Sequence, residues 1–121
     1  MAYTTINKPN THFNTVTYTG NSSTQSITGV NFQPDFTWIK DRIGATAVYS
    51  HYLFDGVRGA TKYIKSNSND AEATGATYLT SFDTDGFSLG SYAGVNASGD
   101  ATVSWNWKAG GTAVSNTDGS I

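Results

Sequence analysis

Ser50, His51 and Asp55 lie close together and are the residue types of a hydrolase relay, in which an imidazole takes the serine proton and a carboxylate orients the ring. Their spacing argues against that chemistry. Neighbouring residues of a strand point to opposite faces, and no nucleophile elbow or oxyanion-forming glycine motif surrounds Ser50. His12 stands far from His51, and neither belongs to a zinc-type ligand spacing. Two carboxylate pairs, Asp70 with Glu72 and Asp83 with Asp85, contain what acid–base hydrolysis of a glycoside would need. Both lie in turn-like sequence, where Asp and Asn are favoured because they bond the local backbone. Asp83 and Asp85 of the Asp83-Thr84-Asp85-Gly86 turn are the better candidates for a calcium ion, as is the loop Asn67, Asn69, Asp70 and Glu72. Neither matches a full calcium-binding loop. The chain reads as one that binds or builds and is not an enzyme, with no cofactor required.

The aromatic residues offer contact chemistry. Trp38, Trp105 and Trp107 could stack on sugar rings if they faced solvent. Trp105 and Trp107 alternate in step with Val103, however, and a cysteine-free domain needs its largest side chains inside, so the expectation is a buried tryptophan face. Tyr49 and Tyr52, together with Tyr92 and Asn96 from the glycine-rich stretch SYAGVNASGD, are the candidate contact surface. In LFDGVRGATK, Asp55 and Arg58 are placed to form a bridge that closes a tight loop.

The elements that must position these residues are strands. The chain has 121 residues, enough for one packed domain. Thr, Ser, Asn and Gly dominate it, and charged residues make up only 13% against the roughly 25% usual for soluble domains. That composition favours strands and turns over helix interiors. HFNTVTYTG, STQSITG, QPDFTWIKDR, TAVYSHYLF and ATKYIKS read in turn as strands bounded by Gly, Asn or Asp. SNSNDAEATGAT reads as a polar loop. TYLTSF and FSLGS flank the Asp-Gly turn as a hairpin, and ATVSWNWKA reads as a central strand with one buried face. The sum is about eight short strands with little or no helix: an all-β antiparallel sandwich, preferably a jelly roll of concanavalin-like, lectin-like type. Residues 1–11 read as an N-terminal arm, 12–109 as the sandwich, and 110–121 as a Gly-rich tail or linker to a further module.

A formal net charge of -2 supplies no basic field for a nucleic acid. No stretch approaches the length of an apolar membrane span, so neither nucleic acid nor membrane insertion is expected.

The ordered runs YTGNSSTQSITGVNFQPDFTWIKDR, HYLFDGVRGATKYIKSNSNDAEAT, LTSFDTDGFSLGS and NASGDATVSWNWKAGG, closing with SNTDGSI, resemble a family of bacteriophage virion proteins common in marine phages. The resemblance spans about Tyr18 to Ile121. It implies a tail-fibre or other particle-surface component built from concanavalin-like sandwich domains, located in the virion. The expected partners are other virion proteins and a host surface glycan or receptor, in a homo-oligomer such as a trimer. The alternative is a capsid decoration or head-fibre protein with purely structural contacts. In the matching FDGVRGATK segment, Asp55, Arg58 and Lys62 are structural hallmarks.

Overall fold

The computed structural model describes residues 7–44 and 47–109, and side-chain alternation along extended segments organises them. A 3-10 turn at Pro9–Thr11 leads into β1 (Phe13–Thr19), β2 (Gln25–Ile27), β3 (Phe36–Asp41), β4 (Tyr52–Asp55) and β5 (Lys62–Lys65). There follow β6 (Ala73–Thr74), β7 (Leu79–Asp83), β8 (Gly86–Leu89), the single-turn helix α1 (Ala93–Asn96) and β9 (Ala101–Trp107). Six strands form one sheet in the order β1-β9-β3-β4-β5-β6, and three form a second in the order β2-β8-β7. Every pairing is antiparallel. The two sheets make a β-sandwich, as composition and strand spacing predict.

Ile39, Tyr52 and Phe54 of the large sheet share a core with Ile27, Leu79, Phe87 and Leu89 of the small one, and Val95 of α1 joins them. Each such side chain, removed from water, stabilises the fold by about 1.5–3 kcal/mol before its ordering entropy is counted. Val16, Tyr18, Tyr63 and Phe82 pack around them.

The hairpin at Asp83-Thr84-Asp85-Gly86 forms, with Asp83 opposite Gly86. Gly86 is required twice over: its φ is 145°, and a Cβ there would come within 1.9 Å of the Ile27 carbonyl oxygen. The two carboxylates proposed for calcium are already engaged by protein donors. Asp83 accepts from the Ser81 and Ser88 hydroxyls. Asp85 accepts from the Gly29 and Asn31 amides, tying the turn to the segment after β2.

Three local expectations need correction. Of the expected strand 46–54, residue 46 lies outside the described residues and 47–51 are not strand, because the His51 amide donates to the Asn67 side-chain oxygen and not to a neighbouring strand. The polar loop after β5 contributes a short strand, β6, which pairs Lys62 with Thr74 and Tyr63 with Ala73. The stretch SYAGVNASGD turns once as α1. Residues 1–6 of the expected arm and the tail 110–121 lie outside the described residues.

The largest correction concerns the central strands. On β9 the side chains turned inward are Thr102, Ser104 and Asn106, all fully buried, while Trp107 is 37% exposed. On β3, Thr37 and Ile39 point inward, and Phe36 and Trp38 lie on the other face. The tryptophan face is the outer face. Burying hydroxyls and an amide is tolerable here because they satisfy one another. The Thr37 hydroxyl donates to Asn106 Oδ1 at 3.0 Å. Asn106 Nδ2 reaches Ser104 Oγ at 3.1 Å and the Asn14 carbonyl at 3.2 Å. Ser104 Oγ in turn donates to the Val16 carbonyl.

Candidate functional site

The antiparallel register sets the outward side chains of the large sheet in rows. One row runs Phe13, Trp107, Phe36 across β1, β9 and β3. The next runs Thr15, Trp105, Trp38, Leu53, Ile64 across β1, β9, β3, β4 and β5. The rows are about 7 Å apart, two residues along a strand. Within the first, the Trp107 ring lies 5.0 Å from Phe13 and 5.2 Å from Phe36, tilted against both. In the second, Trp38 and Trp105 meet edge to face at 5.8 Å. Contacts of this kind hold each ring in place and leave part of its surface to solvent. Phe13, Ile64 and Trp107 are 40%, 37% and 37% exposed.

His51 flanks the second row. Its ring meets Trp38 at 5.7 Å, and its Nδ1 accepts the Trp38 indole N–H at 3.1 Å. An accepting Nδ1 requires the neutral ring with its proton on Nε2. Desolvation, and then the charge of Lys40, holds the His51 pKa below its usual value, in keeping with that tautomer.

At the foot of the first row, Phe36 also lines an open cleft of about 970 Å³. Phe82 of the small sheet forms another wall, and Gln33, Asp35, Asp55 and Lys108 bring polar groups to it. Asp35 Oδ2 accepts the Ala109 amide at 2.7 Å. Asp55 is held by Arg58, which donates from both its backbone amide and Nε to the two carboxylate oxygens. Arg58 also donates to the Leu53 carbonyl, so the bridge expected within LFDGVRGATK closes that loop.

The hydrolase relay does not assemble. His51 Nδ1 is turned to Trp38, Asp55 is bound to Arg58, and Ser50 Oγ lies 3.5 Å from the Asn67 side-chain amide. Among the described residues, no group of three or more His, Asp or Glu could hold a metal ion. No helix among them is long and apolar enough to cross a membrane.

Two of the candidate contact residues, Tyr52 and Tyr92, fall in a second aromatic region. Tyr63, Tyr78 and Tyr92 stack in parallel, with ring separations of 4.6 and 3.7 Å, and Tyr52 meets all three edge-on. The Tyr52 and Tyr92 hydroxyls lie 3.0 Å apart. Burial, followed by these hydroxyl contacts, pushes the Tyr52 and Tyr78 phenols well above their ordinary pKa, so both stay protonated. Tyr52 is only 3% exposed, and Tyr49 packs against the same core. Asn96 is wholly buried. Its Nδ2 donates to the Ser23 and Gly90 carbonyls, and its Oδ1 accepts the Asn21 amide, so it fastens two loops and cannot touch a partner. The outer aromatic face was not anticipated. The signal for it was the small, neutral hydrogen-bonding character of Thr102, Ser104 and Asn106, residues that can go inside if they satisfy one another.

A family described as a domain of unknown function (DUF7483) matches residues 8–121. No curated protein and no solved structure matches the chain.

Proposed function

The chain belongs to the DUF7483 family, and we propose that it is a non-enzymatic binding module on the surface of a bacteriophage particle, of the tail-fibre or receptor-binding kind. The observation that carries this reading is the aromatic face of the large sheet. The largest contiguous apolar patch on a monomeric domain, typically a few hundred square ångström, is often its place of contact. The resemblance of its motif order to phage virion proteins suggests the setting. A concanavalin-like jelly roll, other virion proteins and a host surface glycan or receptor as partners, and a trimeric assembly belong to the same proposal.

A second reading is a capsid decoration or head-fibre protein with structural contacts only. It is favoured by the position of Phe13 on β1, an edge strand of the large sheet, from which a neighbouring chain could extend the sheet. Immunogold labelling of purified virions, with antibody against this chain, tests both. Label at the tail is the expected result, label over the head selects the second reading, and unlabelled particles would overturn both.

A further inference from the structure

We propose that the outer aromatic face and the cleft at its foot form one continuous path for a neutral, extended saccharide. The inference rests on the surface-binding reading and names its ligand class. Phe36 joins the two parts, since its ring touches Trp107 on the sheet face and its side chain lines the cleft. The face and the cleft offer complementary chemistry. Aromatic rings present electron-rich faces, against which the weakly positive C–H faces of a sugar ring pack. The two rows, about 7 Å apart, give successive rings of a chain successive places to lie. Gln33, Asp35, Asp55 and Lys108 then supply acceptors and donors for hydroxyl groups.

Charge favours a neutral occupant. The Asp55 carboxylate is paired with Arg58, and Asp35 faces the same cleft as Lys108, so the charges in and around the cleft offset one another. Area argues against a second copy of the chain. An aromatic side chain spans about 150–250 Å², so side chains exposed to 40% or less leave a patch of about 300–400 Å². A stable protein interface takes roughly 800 Å² from each partner. A short run of sugar rings fits the smaller area, and edge-to-face packing already fixes the rings, so little ordering entropy is lost on binding.

The three tryptophans of the chain all lie on this face, so their emission reports on it directly. The test runs the full chain through native gels cast with hydroxyethylcellulose, galactomannan or laminarin, with alginate as the acidic counterpart. Tryptophan emission is titrated against the same polymers. The expected result is retardation by at least one neutral polymer, with a saturable change in emission. Trp107→Ala should weaken the apparent affinity about ten-fold, and Trp107→Phe should restore part of it. Thr84→Ala, at the tip of the β7–β8 turn, should leave it unchanged.

Failure of all three neutral polymers to retard the folded chain would overturn the inference, as would retardation by alginate alone or retardation that survives Trp107→Ala. Sedimentation showing a dimer that Trp107→Ala dissociates would overturn it in favour of self-association. None of these outcomes alters where the antibody labels the particle, so the saccharide inference and the virion reading can fail separately.

Discussion

The molecule carries two aromatic clusters on opposite faces of its large sheet, one turned outward and one packed against the core. On the outer face of the large sheet, Phe13, Phe36, Trp38, Trp105 and Trp107 pack edge against face with part of each ring left exposed. On the inner face, Tyr52, Tyr63, Tyr78 and Tyr92 stack closely and join hydroxyl to hydroxyl, with Tyr52 buried and the other three half-buried against the core. The hydroxylated rings are the ones that pack against the core, and the more apolar rings lie on the outer face. Hydrophobicity alone therefore does not assign a face. Tyrosine can go in because its hydroxyl finds a partner, and the tryptophans can stay out because the polar face of their own strand is already satisfied.

The contrast predicts a large difference in stability. Tyr52→Ala removes a ring that contacts three others and leaves a cavity, which should cost about 3–5 kcal/mol in chemical denaturation. Trp107→Ala should cost less than about half of that, because its ring is already partly in water. Equal losses would break the comparison and return Trp107 to the core.

The buried polar strip under the tryptophans is the next target. Asn106→Leu keeps much of the volume but leaves the Thr37 hydroxyl without its acceptor and the Asn14 carbonyl without its donor, at an expected cost of about 2–3 kcal/mol. Adding Thr37→Val to Asn106→Leu should recover part of that loss, since the pair would then be apolar together. A double variant no more stable than the single one would mean that the strip does not act as a unit.

Much of this fold could be read from residue types. The Asp-Gly hairpin, the Asp55–Arg58 loop and the all-β class follow from turn chemistry and from composition, both of which act locally. The face of β9 could not be read so directly. Val103, Trp105 and Trp107 alternate cleanly with Thr102, Ser104 and Asn106, and alternation locates two faces without saying which one meets the second sheet. That choice depends on partners far away in sequence, Thr37 and the Asn14 and Val16 carbonyls. Two of the candidate contact residues, Tyr52 and Asn96, are buried for the same reason. Asn96 sits in a glycine-rich stretch that looks exposed, yet its amide is drawn inward by Asn21, Ser23 and Gly90.

The smallest expected effect is a proton at the rim of the outer face. His51 accepts the Trp38 indole N–H through Nδ1, so protonation removes that acceptor, and the pKa is held below its usual value of 6.5 by desolvation and then by Lys40. A histidine with a lowered folded-state pKa binds its proton more readily when unfolded. Its contribution to stability is therefore complete above about pH 6.5 and is lost as pH falls from there through the folded value. The ring is largely solvated, so the change in stability should be slight, and the Trp38 signal is the better readout. Tryptophan emission should show a transition below pH 6.5 that is absent in His51→Gln. Tyr52 and Tyr78, whose phenols are pushed upward, should show no corresponding change across that range. A transition that persists in His51→Gln would mean that the indole and the imidazole are not coupled, and that the rings of the outer face are held by packing alone.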